Sequence, residues 1–344
     1  MIGSALLAAA VAAVQSAPTD PLDLARLLAG RYPQQASVSY IPSLSWSAQL
    51  RLAELTGESE WTARARQQMQ PLFDEALPDF GANYSLTRVA GFAALADLAS
   101  LAGDALAGAR SRAAAELILP APGSPDVSYA TGWTDDMFMA TSLLGRVGAG
   151  GDERFFAVLE PLLTAYARRL QRPDGLFVHA QDAPHAWGRG NGFAALGLTE
   201  ALTYLPEGWP GRRNLLEAYR RQMRAFLGHQ SGDGSWRQVV DRAESYQELS
   251  VTAMVVAAMA RGVRSGWLEA DAFLPSIERG WRAVTARVGA DGSVRDVCTS
   301  TGAGPTLDYY LERPKVSGLD DRGGGLVLLA ALEMVELRGL GAVR

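Results

Sequence analysis

Apolar residues recur at three- and four-residue spacing through most of the chain, the signature of helices that bury one face. The pattern predicts helices over Trp46–Leu55, Trp61–Leu77, Val89–Ala102, Asp104–Leu117 and Asp135–Val147. It continues over Glu153–Leu170, Gly192–Tyr204, Arg212–Leu227, Tyr246–Gly262, Ala270–Val288 and Gly325–Leu337. Strand signals are few and short. No long linker or low-complexity tract divides the chain, so one domain is expected over residues 17–344.

The loops between these helices repeat. Pro173-Asp174-Gly175-Leu176-Phe177 is matched by Gly232-Asp233-Gly234-Ser235-Trp236 and by Ala290-Asp291-Gly292-Ser293-Val294. The Asp-Gly pairs start at 174, 233 and 291, so the spacings are 59 and 58 residues. Both residue types tolerate unusual backbone angles, which makes the pair a turn signal. One period holds two helices, the unit of a helical array, and the chain is close to six periods long. An open solenoid needs polar capping repeats at its ends. Here the last helix is rich in Leu and Ala on most sides, which favours closure. The expected fold is all-α, an (α/α)6 barrel with a concave site built from the loops at one end.

Composition narrows the chemistry. The chain has 344 residues and a net charge of −5, without basic runs, which argues against nucleic acid. Lys315 is the only lysine and Cys298 the only cysteine. A Schiff-base mechanism therefore has one poorly placed candidate, and an internal disulfide or a cysteine metal cluster is impossible. His179, His185 and His229 are the only histidines and lack metal-type spacing, so no metal or cofactor is expected. Ile2–Val14 is apolar, too short to span a bilayer, and about the length of a signal-peptide core. Val14-Gln15-Ser16 offers a cleavage point before Ala17, although no Lys or Arg precedes the apolar run. Residues 1–16 are expected to direct a periplasmic or secreted protein, the alternative being a buried first helix in a cytoplasmic one. No membrane span and no obligate protein partner is indicated.

Two segments carry unusual chemistry. Trp133-Thr134-Asp135-Asp136-Met137-Phe138-Met139 sits at a helix start, where Thr134 or Asp135 can cap free N–H groups. One cap is enough, and neighbours on a helix diverge, so one carboxylate can cap while the other faces a pocket. Repulsion between the two and burial beside Trp133 would raise one of their pKa values. Trp187-Gly188-Arg189-Gly190-Asn191-Gly192-Phe193 alternates glycine with larger residues. If extended, it would set Trp187, Arg189, Asn191 and Phe193 on one side, supplying aromatic faces for sugar rings, a fork for carboxylates and an amide for hydroxyls. A glycine-rich turn with a core tryptophan is the plainer alternative. His179 and Asp182 follow the first Asp-Gly turn as pocket groups or surface residues. His229 reads as a helix C-terminal residue, and Glu248 as a first-turn carboxylate favouring the helix dipole. Trp236 belongs to the matching loop of the next repeat. Tyr309, Tyr310 and Arg313 either line the rim or pack.

Together and in order, these motifs resemble glycoside hydrolase family 105, the unsaturated rhamnogalacturonyl hydrolases, relatives of the family 88 unsaturated glucuronyl hydrolases. The resemblance rests on Trp-x-Asp-Asp-x-Phe-Met at 133–139, Gly-Leu-Phe-x-His at 175–179 and Trp-Gly-Arg-Gly-Asn-Gly at 187–192. Trp236-x-Gln-Val-Val-Asp and Tyr246-x-Glu-x-Ser-x-Thr-Ala-Met254 extend it. It implies an (α/α)6 barrel without cofactor that hydrates the C4=C5 double bond of a terminal unsaturated uronic acid on pectin or rhamnogalacturonan fragments. It implies Asp135 as the acid that also activates water. His179, Trp187, Arg189, Asn191, Phe193, Trp133, Asp136 and Trp236 would line the substrate. Two departures stand out. Phe193 replaces a family tryptophan, and the stretch at Asn83 and Tyr84 lacks an aspartate found in many relatives. The other readings are a conventional glycoside hydrolase pairing Asp135 with Asp182 or Glu248, and a non-catalytic carbohydrate-binding ring.

Overall fold

The computed structural model describes residues 17–76, 85–121, 124 and 126–342. The segment expected to direct export and the stretch at Asn83 and Tyr84 lie outside the described residues. In chain order the helices are α1 (Pro21–Arg31), α2 (Tyr40–Thr56), α3 (Glu60–Gln68), α4 (Gln70–Asp74), α5 (Leu86–Val89), α6 (Ala93–Ala102) and α7 (Ala105–Leu117). They continue with α8 (Thr134–Ala149), α9 (Phe156–Leu170), α10 (Gly188–Tyr204), α11 (Arg212–His229), α12 (Leu249–Arg264), α13 (Ala270–Thr285), α14 (Leu307–Leu311) and α15 (Asp321–Ala342). Two antiparallel ribbons complete the fold: β1 (Trp236–Arg237) with β2 (Gln247–Glu248), and β3 (Val294–Cys298) with β4 (Lys315–Gly318). Helix starts follow local chemistry. Asp20 accepts from the N–H groups of Leu22 and Asp23 at α1, and Asp104 from that of Ala107 at α7.

Six helices, α2, α6, α8, α10, α12 and α15, pack side by side around an axis. Each carries one outer helix: α3, α7, α9, α11 and α13 follow their partners, and α1 covers α15. Burial separates the two layers. Almost every residue of α10 and α12 is buried, whereas α11 buries the single stripe Leu215, Ala218, Tyr219, Gln222, Met223 and Phe226. The sixth outer helix, α1, was not anticipated from the sequence. The expected helix over 61–77 divides at Met69, where Pro71 starts α4. The barrel itself is as expected.

The Asp-Gly repeats show how the ring closes. Gly175, Gly234 and Gly292 all have φ between +85° and +97°, which favours glycine. Asp174, Asp233 and Asp291 each accept from the N–H two residues on. A Cβ on Gly175 would press on the Arg221 carbonyl of α11, and one on Gly234 on Arg279 of α13. The third, on Gly292, would lie 2.8 Å from Arg31 of α1. The third repeat therefore docks on α1, the first of the described helices, and Tyr32 donates to the Gly292 carbonyl at 2.8 Å.

The inner helices run parallel, so their C-terminal halves share one end. There Arg51, Glu333, Arg261, Glu200, Arg146 and Asp97 come one from each inner helix and alternate in sign. Arg51 meets Glu333 at 2.7 Å, Arg261 meets Glu200 at 3.2 Å and Arg146 meets Asp97 at 2.8 Å. Arg261 also pairs with Glu333, and Arg146 with Glu200. Arg51 and Asp97 border a cavity of about 1100 Å³ at this end. Burial alone would raise the pKa of Glu333, but Arg261 and Arg51 hold it well below the usual carboxylate range. Its stabilising contribution is thus complete above the unfolded value and is lost only as the pH falls into strong acid. Glu333→Gln leaves these arginines short of a counter-charge. It should lower stability by roughly 3 kcal/mol, read as a reduced denaturation midpoint at neutral pH.

Candidate active site

The N-termini of the six inner helices share the opposite end, where their dipoles favour negative charge. The first turn of α8 presents Asp135, its side chain 20% exposed. The Thr134 N–H donates to the His179 carbonyl at 2.9 Å, tying this turn to the loop after the first Asp-Gly repeat. Asp135 Oδ2 lies 3.1 Å from His179 Nε2. His179 Nδ1 lies 2.7 Å from the Tyr310 hydroxyl, which accepts the Gly304 N–H at 3.1 Å. The imidazole is fully buried between Trp187, at 4.6 Å between ring centres, and Trp133, at 5.4 Å.

Arg189 stands beside this pair. Its guanidinium is 5.1 Å from the Trp187 ring and donates to the carbonyls of Cys298 and Thr299 at 2.6 and 2.8 Å. Glu248 does not pair with it directly. That carboxylate caps α12, accepting from Ser250, Val251 and the Cys298 N–H at 2.7–3.0 Å. Arg189 is therefore a buried cation bonded mainly to neutral groups and close enough to feel Asp135, Glu248 and Tyr40. Tyr40 opens α2, half-buried at the same end, and burial pushes its hydroxyl up to about 12 against the pull of Arg189. It escaped the sequence reading because the apolar pattern places that helix start at Trp46. Arg322 donates to Ser300 Oγ and pairs with Asp320, near enough to Arg189 for the two groups to interact.

Four of the residues expected to line the substrate sit behind the site instead. The segment 187–193 is not extended. From Gly188 onward it is the start of α10, so its side chains diverge by about 100° per residue. Asn191 turns inward, bonding the Phe177 N–H and the Phe177 and Trp187 carbonyls at 2.8–3.0 Å. Phe193 is buried on Phe138 and against the edge of Tyr40. Trp236 is buried with its Nε1 on the Phe226 carbonyl. Asp136 is 1% exposed and accepts from the Thr131 and Gly132 N–H groups, the Thr131 hydroxyl and Tyr166 at 2.6–3.0 Å. Of the two adjacent carboxylates, Asp136 is the one that braces the helix start, through the backbone preceding it, and neither Thr134 nor Asp135 caps it.

The glycines of the same segment have a packing role. A Cβ on Gly190 would lie 2.6 Å from Thr134 Oγ1 and 2.9 Å from the Trp187 ring, so only glycine lets α10 approach α8 beneath His179. Asp182 is exposed in the turn Ala180–Ala183, His185 Nε2 faces the Pro305 carbonyl at 3.1 Å, and His229 lies in the last turn of α11. Among the described residues no cluster of His, Cys, Asp or Glu is arranged to hold a metal, and no helix is long and apolar enough to cross a membrane.

Comparison with known proteins gives the family and the fold. A sequence profile of Glycosyl Hydrolase Family 88 matches residues 23–338. The chain is 29% identical over 216 residues to an unsaturated 3S-rhamnoglycuronyl hydrolase of Alteromonas sp. (strain LOR), covering 59% of this chain and 51% of that protein. It is 26% identical over 215 residues to the unsaturated rhamnogalacturonyl hydrolase YesR of Bacillus subtilis (strain 168), covering 60% of each. The chain thus spans about half to three-fifths of these relatives' lengths. A possible member of the GH105 family from Salmonella enterica serovar Paratyphi A superposes with a TM-score of 0.82 at 18% identity, over 94% of this chain and 95% of that one. This likeness confirms the (α/α)6 barrel.

Asp136 offers a test of its bracing role. Burial pushes its pKa up to about 6, against the hydrogen bonds from Tyr166, Gly132 and Thr131. A folded-state value above the unfolded one near 4 means that the native protein holds its proton longer. This group therefore lowers stability as the pH rises from about 4 to about 6, and its cost is constant above that range. In melting temperatures measured across pH 4–7, Asp136→Asn should remove that downward contribution while lowering stability throughout, because the amide group opposes the N–H donors.

Proposed function

The chain belongs to Glycosyl Hydrolase Family 88, and from that premise we propose that it removes the unsaturated uronic acid from the non-reducing end of pectin- or rhamnogalacturonan-derived oligosaccharides. The observation that carries the reading is the partly exposed carboxylate Asp135, paired to His179 beside the buried Arg189. In an unsaturated uronyl group the reacting C4=C5 bond and the carboxylate share C5. A cation that holds the carboxylate therefore also fixes the alkene for the acid. Asp135 delivers its proton to C4 and then, as a carboxylate, takes a proton from the water that adds to C5. The resulting hemiketal opens and releases the next sugar. Trp133 supplies an aromatic wall, Trp187 backs His179 and Arg189 from inside, and the helix N-termini favour the anionic guest. The names of both relatives above share the unsaturated sugar of this reading, and that of YesR also shares rhamnogalacturonan.

A conventional glycosidase needs a second carboxylate across the scissile bond. Glu248 is sealed under α12 with its oxygens engaged, and Asp182 is exposed in a surface turn. Neither placement favours that alternative.

Incubation with rhamnogalacturonan-lyase products should abolish the ultraviolet absorbance of the conjugated double bond. Asp135→Asn should slow that loss by ~10²–10⁴-fold, the usual worth of a general acid. Absorbance that persists across several lyase digests rules the reading out.

A further inference from the structure

We propose that Tyr310 is a positioning residue that keeps His179 neutral, so that the proton shared by the Asp135–His179 pair resides on the carboxyl group; the catalytic consequence rests on the function proposed above. The pair can hold one transferable proton in two ways. Either Asp135 is a neutral acid beside a neutral imidazole, or Asp135 is a carboxylate beside an imidazolium. Only the first can protonate a carbon–carbon double bond, and an imidazolium 3.1 Å away would hold the carboxylate ionised.

The hydrogen bonds choose between these states. The Tyr310 hydroxyl is buried and already accepts the Gly304 N–H at 3.1 Å. We assign its own proton to His179 Nδ1 at 2.7 Å, the one acceptor in hydrogen-bond reach of that hydroxyl among the described residues. That makes Nδ1 an acceptor and leaves Nε2–H to face Asp135 Oδ2. Forming the imidazolium puts a proton on Nδ1 and turns the hydroxyl proton away from its partner inside the protein, where an unmade hydrogen bond is costly. The charged and titratable neighbours are Asp135 on α8, Arg189 on α10, Tyr309 on α14, and Asp182 and His185 on the turn beside Tyr310. Arg189 also disfavours a second positive charge. The stretch from the end of β3 into α14 therefore serves both halves of the site: Cys298 and Thr299 give their carbonyls to Arg189, and Tyr310 of α14 acts on His179.

The three histidines make the state of His179 directly readable by ¹⁵N NMR, with His185→Gln and His229→Gln variants assigning the signals. In the unaltered protein at neutral pH, His179 should show an unprotonated Nδ1 and a protonated Nε2. Tyr310→Phe keeps the ring and removes the hydroxyl. His179 should then move toward the imidazolium signature, and kcat on the lyase-derived oligosaccharides should fall about tenfold or more with KM changed less than about twofold. Tyr309→Phe is the control. Its hydroxyl holds Thr301 and the Gly302 N–H in the same loop but does not touch His179. An unchanged His179 spectrum in Tyr310→Phe overturns the proposal, as does the same spectral change in Tyr309→Phe. The spectra need no substrate. An NMR shift without any turnover by the parent protein would therefore support the positioning role while removing the proposed reaction.

Discussion

The start of α15 lies against α2 and the segment before it: Gly324 faces the Tyr32 ring with no room for a side chain, and Gly325 packs tightly on Ser45 of α2. This contact closes the ring, and the two ends of the barrel follow from it. Alternation of inner and outer helices along the chain makes the inner ones parallel, so the closed ring gathers six N-termini at one mouth and six C-termini at the other. Each end then carries the partial charge of its helix ends. At the C-terminal end that charge is met by Arg51, Arg146, Arg261 and Arg264, whose own counter-ions are Asp97, Glu200, Glu333 and Glu336. Arginine suits this place because its planar fork bonds two neighbouring helices at once. Arg261 does so between Glu200 of α10 and Glu333 of α15.

At the N-terminal end Glu248 and Asp320 cap α12 and α15, and Asp135 in the first turn of α8 faces the mouth. Arg189 adds to the positive potential of the helix ends rather than cancelling it. Burying a guanidinium among carbonyls is costly unless something negative completes its surroundings, and Glu248, the nearest candidate, is already occupied as a cap. The mouth is thus prepared for an anion by ring closure, by the helix ends and by the one buried arginine together.

The fold was legible because its signals are periodic. Helix periodicity and three Asp-Gly turns were enough to reach a six-hairpin barrel, and those turns do pack as equivalent units. What escaped was α1, the helix on which the third turn docks. Its Asp20-Pro21 start is a good local signal, but it falls outside the repeat. In the site, the residues that depend on sequence neighbours were readable: Asp135 at a helix start, and His179 and Trp187 in distinctive loops. Those that depend on long-range approach were not. Tyr40 reaches the mouth through ring closure, and Tyr310 reaches His179 from 131 positions away. Asp136, Asn191, Phe193 and Trp236 misled for a common reason. A polar or aromatic residue in a distinctive motif can be there to shape the motif, and chemical type does not separate that role from contact with a ligand.

Those inward-turned residues account for the precision of the site. Asp136 gathers the backbone at 131 and 132 and so sets the position from which Trp133 and Asp135 project. Asn191 joins α10 to Phe177, two residues before His179. Glu248 accepts the Cys298 N–H, which fixes the end of β3 so that the Cys298 and Thr299 carbonyls face Arg189. Each is a buried acceptor or amide whose partners are backbone groups next to a site residue. Removing any one leaves the reactive side chains present but frees the segment that aims them. A general acid has to sit within hydrogen-bond reach of its target, about 2.6–3.2 Å between heavy atoms. In this barrel, then, sealed polar residues sit directly behind the exposed ones. In the motif around Asp135, Asp136 is the carboxylate that holds the helix start in place, through the N–H groups of Thr131 and Gly132.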